Sequence, residues 1–225
     1  MVIAIDGPAG SGKSTIASML ANRLGLRYVS TGLMYRALTL KVIRSGASAY
    51  DDAEVGNIAQ NLDLRFEWSD PATMKVFMDG EDVTGELTSP EVDSLVSPVS
   101  RVPLARKILT EKQRLLARDG GVVMEGRDIG TVVLPEADLK IFLTASPAER
   151  AVRRSRQLSE KGISQDISKI RENIEMRDKM DSERVNAPLK PADDSITLDT
   201  TGKSPERVIS EILDIVGSLP GKCTG

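Results

Sequence analysis

One stretch limits what this chain can become more than any other: Gly7-Pro-Ala-Gly-Ser-Gly-Lys-Ser-Thr15. It fits the pattern G-x-x-x-x-G-K-[ST], in which each residue type answers a chemical need. Gly7, Gly10 and Gly12 let the backbone take positive φ and turn its N–H groups inward, where a Cβ would block a phosphate. Pro8, Ala9, Ser11 and Thr15 complete the cradle. Lys13 offers an ammonium, expected to face solvent, for the β- and γ-phosphates, and Ser14 offers a hydroxyl for Mg²⁺. Before the loop, Val2-Ile3-Ala4-Ile5 reads as a buried parallel strand. After it, Ile16, Leu20 and Leu24 fall four apart on one helical face, and Gly25 stands where a helix C-cap is expected. That order aims the positive end of the helix dipole at the loop. The bland alternative is an ordinary glycine-rich turn; the flanks favour a nucleoside triphosphate site.

The rest of the chain narrows the chemistry. Its 225 residues suit one α/β domain carrying insertions. With a net charge of −3 and a pI near 5.3, no global basic field draws in nucleic acid or membrane. No apolar run approaches the roughly 20 residues of a membrane helix. The chain opens directly on a core strand, so no signal peptide is expected. Cys223 is the single cysteine and lies in a Gly- and Pro-containing tail, which excludes an internal disulfide and suggests a reducing cytoplasm. Histidine is absent. Imidazole metal sites, Ser-His-Asp triads and histidine acid–base catalysis are therefore excluded. The expectation is a monomer acting on small molecules.

Downstream, Leu26–Ser30 reads as a second strand, and Thr31 is placed to cap a helix carrying Met34 and Leu38. Tyr35 and Arg36 fall in its first turns, near the electropositive end. Residues 45–60 are small and polar, with no strong signal. Leu64, Phe66 and Trp68 then alternate, and Met74–Met78 run into Asp79-Gly80, the pattern of an antiparallel hairpin. This piece reads as an insertion with a small core, since it holds three of the seven aromatic residues. Residues 98–118 look helical, with Pro103 near the start and Leu104, Ile108 and Leu115 on one side. Gly121–Met124 and Leu139–Leu143 are further apolar strands, the first leading into Glu125-Gly-Arg-Asp128. Ser146-Pro-Ala-Glu149 is a capping box opening a helix that carries Arg150, Arg153, Arg154 and Arg156. After a break at Lys161-Gly162, Ser164 is expected to cap a helix striped by Ile167, Ile170 and Ile174. Ser195–Asp199 is the last strand, and Ser204-Pro205 starts a helix through Val208, Ile212 and Ile215.

Strands alternating with helices imply a doubly wound, parallel five-stranded sheet, whose ligands lie at the carboxyl ends of the strands. Gly7–Thr15, Thr31–Arg36 and Glu125–Asp128 all fall at that edge. Arg177, Asp181 and Arg184 share one helical face. Taken alone they could be a surface ion pair worth about 0.3–0.5 kcal/mol. Beside the Arg150–Arg156 run they suggest instead a helical lid that closes over polyphosphate, with Arg153 on the ATP side. If the acceptor is a nucleoside monophosphate, its second pKa near about 6 leaves it already ionised, and no general base is needed. A cytosine reader needs a carboxylate or hydroxyl acceptor beside an arginine donor. Ser97, Arg106 and Asp128 supply those types.

The chain is similar to the bacterial cytidylate kinases, P-loop kinases of the nucleoside monophosphate class, nearly end to end. The marks are Gly7–Lys13, Thr31-Gly-Leu-Met-Tyr35-Arg36, Gly126-Arg-Asp-Ile-Gly-Thr-Val-Val133 and Arg177-Asp-Lys-Met-Asp181-Ser-Glu-Arg184. The resemblance implies phosphorylation of CMP and dCMP by ATP with Mg²⁺ at Ser14, with Lys13, Arg127 and Arg177 as catalytic groups. It implies that Arg36, Arg127 and Arg177 hold the acceptor phosphate, helped by Arg184, and that Ser97, Arg106 and Asp128 read cytosine. Asp181 would hold the ribose, with Tyr35 and Thr31 at the pocket. Thr31 stands where some members use Ser, and Glu125 where a relative has Asp. The hairpin resembles an enlarged monophosphate-binding insertion at about 37–105, and the lid would span about 146–186. Rival readings remain. Asp199-x-x-Gly202 could be a GTPase magnesium motif, but no Asn-Lys-x-Asp guanine reader accompanies it. Shikimate- or gluconate-type kinases share the loop, and a UMP kinase the class. A non-enzymatic ATP-binding or RNA-binding module is disfavoured by the acidic pI and few aromatics.

Overall fold

The computed structural model describes residues 1–160, 162–163, 165–184 and 186–219. The chain opens with β1 (Val2–Asp6), α1 (Lys13–Leu24), β2 (Arg27–Ser30), α2 (Thr31–Arg44) and α3 (Asp52–Gln60). It continues through β3 (Leu64–Asp70), β4 (Thr73–Met78), β5 (Glu81–Asp82), α4 (Pro90–Ser100) and α5 (Pro103–Ala117). The last third holds β6 (Val122–Gly126), β7 (Leu139–Thr144), α6 (Pro147–Glu160), α7 (Ile167–Ser182), β8 (Ile196–Asp199) and α8 (Pro205–Ser218).

The apolar runs pair as expected, into a parallel sheet of order β2-β6-β1-β7-β8. Its centre is buried on both faces, so Ile3, Ala4 and Ile5 are wholly covered, as are Val122, Val123 and Met124. Register then decides where the polar clusters go. Asp6 lies opposite Gly126 and Ser30 opposite Glu125. The residues that leave β1, β2 and β6 therefore emerge side by side on one edge. Gly25 ends α1 in the left-handed conformation, φ 64°, and Pro103 starts α5.

Several local expectations change. The hairpin forms a separate antiparallel sheet, β3-β4-β5, but it has no small core of its own. Met74, Val76 and Met78 join the main apolar cluster. Trp68 Nε1 donates to Tyr28 O (2.7 Å), and Tyr28 N donates to Pro71 O. The stretch 45–60 contains α3, capped by Asp51, whose carboxylate accepts from Ala53 N and Glu54 N. Residues 98–118 are two helices, since Pro98 lies inside α4 and the chain breaks before Pro103. On α5 the inward face is Ala105, Arg106, Leu109, Thr110, Gln113 and Ala117, while Leu104 and Leu115 are exposed. That face carries polar side chains turned towards the site, which an apolar stripe cannot reveal.

Thr31 is the first residue of α2 and Ser30 the cap position. Ser146 Oγ accepts from Glu149 N as a capping box requires. The reciprocal half is missing, because Ser146 N donates to Thr201 Oγ1 and Glu149 turns to Arg153. Ser164, like Lys161 and Cys223, lies outside the described residues; Asp166 caps α7. Ile170 and Ile174 pack with Ala151 and Leu158 between α6 and α7, whereas Ile167 is exposed. Among the described residues no helix is long and apolar enough to cross a membrane.

Candidate functional site

The glycine loop is built by exclusion. Gly7 has φ 148°, and a Cβ there would stand 2.0 Å from Leu143 O. No other residue fits without moving β7. The first turn of α1 follows Gly12 with no side-chain cap, which leaves backbone donors and a positive dipole end at the loop. Lys13 departs from expectation: it is buried rather than solvent-facing, and its Nζ donates to Pro8 O (2.8 Å). Burial, then Arg127, pull its pKa down to about 7, against the opposing pull of Glu125, Asp6 and Asp181. The ammonium is thus held inside the cradle.

Around that loop two further groups converge. Ser14 Oγ (3.1 Å) and Ser30 Oγ (2.6 Å) both donate to Glu125 Oε1. Arg153 lies over the loop, its Nη1 3.6 Å from where a Cβ on Gly12 would be. It is held by Glu149 (2.9 Å) and by Thr200 Oγ1 (2.9 Å) and O (2.7 Å). Arg150 is buried and donates through Nη1 to Ala9 O (3.1 Å) and Asp178 Oδ2 (2.5 Å), tying both α6 and α7 to the loop. Arg156 is exposed.

The segment leaving β6 is pinned from two sides. Thr31 Oγ1 donates to Glu125 O (2.9 Å), and a Cβ on Gly126 would stand 2.5 Å from that hydroxyl. Asp6 accepts from Ile129 N (2.8 Å) and Gly130 N (2.7 Å). Burial raises the Asp6 pKa to about 6, although both N–H groups favour its charged form. Pinned in this way, the segment presents two charged side chains. Arg127 Nε donates to Asp181 Oδ2 (2.9 Å), and Asp128 Oδ2 accepts from Arg106 Nη2 (2.6 Å) in a buried pair. Arg106 also stacks 5.4 Å from the Tyr35 ring centroid. Burial pushes the Tyr35 phenol up to about 12.

Arg177, Asp181 and Arg184 do not settle as a surface pair. Arg177 Nη1 turns to Asp93 Oδ1 (3.4 Å), Asp181 to Arg127, and Arg184 Nη1 stands 3.8 Å from Asp181 Oδ1. Burial alone would raise the Asp181 pKa, but Arg127 and Arg184 hold it below the ordinary value. Arg36 Nη2 (2.5 Å) and Arg154 Nη2 (2.6 Å) also reach Asp93. A cleft of about 430 Å³ opens between α4–α5 and the end of α7, lined by Ser97, Arg101, Pro103, Met180, Asp181 and Arg184. Ser97 thus faces the same space as Asp181 and Arg184. Asp199 accepts from Thr201 N and Oγ1, the geometry of a strand-to-helix turn rather than a metal motif.

Sequence reasoning missed Asp6, Asp93 and Asp178. Ser89-Pro90-Glu91 was a readable helix start, yet nothing local marks Asp93 as facing arginines from three other helices. Asp6 directly follows the first apolar run, which was a usable signal.

Residues 3–218 match the family model described as cytidylate kinase. The chain is 48% identical over 211 residues to the cytidylate kinase of Pelotomaculum thermopropionicum, covering 94% of this chain and 93% of that one. It is 47% identical over 218 residues to the bifunctional pantoate ligase/cytidylate kinase of Prochlorococcus marinus strain NATL2A, covering 96% of this chain. There it spans only 42% of the longer protein. Among solved structures, an uncharacterised protein from Eubacterium ventriosum aligns with a TM-score of 0.53 at 13% identity, over 97% of this chain and 99% of that one. That likeness concerns fold alone. A match spanning the glycine loop, the Arg127–Asp128 segment and the Arg177–Arg184 face places this chain in the cytidylate kinase family.

Proposed function

We propose that this chain transfers the γ-phosphoryl group of ATP to the phosphate of CMP, and of dCMP, yielding CDP or dCDP and ADP. The observation that carries this reading is the buried Arg106–Asp128 pair. A carboxylate beside a guanidinium matches the N4 amino donor and the N3 and O2 acceptors of cytosine. Ser97 adds a hydroxyl from α4, on the wall of the cleft it shares with Asp181 and Arg184. Asp181 takes the ribose hydroxyls, and Arg36, Arg127, Arg177 and Arg184 take the acceptor phosphate. Thr31 and Tyr35 shape the wall between them.

In the transfer, an oxygen of the CMP phosphate attacks the γ-phosphorus as the bond to the β–γ bridging oxygen breaks, and ADP leaves with those electrons. The acceptor is already ionised, so the absence of histidine is no obstacle. The loop N–H groups, Lys13 and Arg153 hold the ATP phosphates, and Arg127 and Arg177 balance charge on the transferring group. The oxygen donors fit magnesium: Ser14 Oγ and the Glu125 carboxylate lie together, and this ion typically takes one or two protein oxygens plus phosphates and water. When bound, it would neutralise charge on the β- and γ-phosphates. Residues 37–105 serve as the monophosphate-binding insertion and 146–186 as the lid. The protein works as a cytoplasmic monomer on small molecules, without nucleic acid or membrane.

The test is ADP release from ATP·Mg²⁺ with CMP, dCMP, UMP, AMP, GMP, shikimate or gluconate as acceptor. CMP and dCMP should support turnover well above all others. Faster turnover of a sugar acid or of UMP would refute the reading.

A further inference from the structure

Asp93 sits in the first turn of α4, and its carboxylate gathers arginines from three other helices. Oδ1 accepts from Arg36 Nη2 (2.5 Å) on α2 and from Arg177 Nη1 (3.4 Å) on α7. Oδ2 accepts from Arg154 Nη2 (2.6 Å) on α6. One negative charge therefore faces three positive ones, leaving local positive charge for a further anion. We propose that Asp93 occupies the seat of the acceptor phosphate, and that the acceptor binds by displacing this carboxylate from Arg36 and Arg177. The inference rests on the reading that these two arginines hold the acceptor phosphate.

The chemistry of the two anions supports an exchange. A carboxylate brings two oxygens and one charge; a phosphate monoester brings three and a charge of about −1.5 to −2 at pH 7. Asp93 serves Arg177 poorly. Its Oδ1 is shared with Arg36, the Arg177 contact is long, and Arg177 Nε is buried with no hydrogen-bond partner among the described residues. A third oxygen would meet that donor. Burial works against the Asp93 charge, but Arg177, Arg36 and Arg154 outweigh it and bring its pKa to about 2. Asp93 is ionised at any working pH, so protonation does not open the cluster, whereas a competing anion can. Residue 93 then sets acceptor affinity: it holds the arginines in place and opposes the ligand they serve.

The test changes charge with little change in shape. Asp93→Asn and Asp93→Ser should tighten binding of CMP and of inorganic phosphate by about tenfold, the scale of a partly solvated ion pair. Cytidine, which lacks the phosphate, should bind as before. KM for CMP should fall while kcat does not rise. A folded variant with unchanged or weaker CMP binding would overturn the proposal, since a purely structural carboxylate predicts that result. Should neither variant fold, the Asp93 carboxyl carbon resonance of the wild type decides: it should shift on adding CMP and stay fixed on adding cytidine. Arg36→Ala and Arg177→Ala separate the two levels. If they leave CMP affinity intact, the acceptor-site reading itself fails. If they weaken it while Asp93→Asn does not tighten it, only the role of Asp93 falls.

Discussion

The donor end and the acceptor end of this site are built by different means. At the donor end the backbone does the shaping: Gly7 pressed against Leu143 O, Lys13 bonded to Pro8 O five residues away, Arg150 bonded to Ala9 O. At the acceptor end side chains meet across long separations, 22 residues for Arg106–Asp128 and 84 for Arg177–Asp93. A backbone cradle comes preformed with the fold and reads phosphates, which carry no base identity. An assembled set of ion pairs can be selective and can rearrange. Specificity should therefore sit at the acceptor end and chemical power near the donor end.

Base choice gives the largest expected effect. In the proposed mode of binding, uracil would present O4 to Asp128 and N3–H to Arg106, so acceptor would meet acceptor and donor would meet donor. One or two unmet buried partners cost about 2–4 kcal/mol, or roughly 30- to 1000-fold in kcat/KM between CMP and UMP. Loss of the 2′-hydroxyl should cost less, because in the proposed mode of binding Asp181 would keep the 3′-hydroxyl, and purines should be excluded by size. Asp128→Ala should flatten the CMP/UMP ratio more than it slows UMP. An unchanged ratio would move specificity away from this pair.

Lys13→Met should lower kcat by at least about a hundredfold, through loss of a charge-assisted contact to the transferring group. Its stability signature is more distinctive. The folded pKa of about 7 lies below the ordinary 10.5, so between those values the unfolded chain binds more protons and stability rises with pH. The penalty for burying the ammonium is full below pH 7 and fades towards pH 10.5. Lys13→Met should therefore melt higher than wild type at pH 6–7, with the gap closing as pH rises. A constant gap would show that the ammonium is not buried in solution.

The same contrast explains what could be read beforehand. The donor end was legible because its chemistry lies in nine consecutive residues flanked by a strand and a helix. The sheet was legible because Val, Ile and Leu runs have few alternatives. The acceptor end was legible only in pieces: Ser97, Arg106 and Asp128 could be named from the types they offer and Asp181 from its helix face, but none could be shown to meet. Asp93 was invisible, since its meaning depends on Arg36, Arg154 and Arg177 converging in space. The burial of Lys13 was misjudged for a related reason: a charged residue in a loop reads as exposed until its surroundings, Arg127 and Glu125 among them, are known.

Asp181→Asn probes how the two ends are joined. Asp181 partners Arg127 from the segment beside the loop and Arg184 beyond α7. The amide keeps the shape but leaves two largely buried guanidiniums with less compensating charge. KM for CMP should rise about tenfold, while KM for ATP changes less than threefold. Equal losses for both substrates would mean that the acceptor and donor ends are a single rigid unit.

The smallest effect tests the edge of the comparison, whether the antiparallel sheet belongs to the acceptor machinery or to the frame. Trp68 Nε1 bonds to Tyr28 O on β2, and Arg27 stacks 5.5 Å from its ring centroid. Both ties run to the central sheet. Trp68→Phe removes the N–H, leaving a carbonyl short of a partner, and weakens the cation–π contact. Together these should lower unfolding stability by about 1–2 kcal/mol. No hydrogen bond or ring contact joins Trp68 to Arg36, Asp93 or Arg106 among the described residues, so kcat and KM for CMP should stay within about twofold. Denaturant unfolding and steady-state assays on the same preparation separate the outcomes. A stability loss without a kinetic change makes Trp68 an anchor that ties the insertion to the central sheet. A tenfold rise in KM with intact stability would instead join the hairpin to the acceptor-binding half.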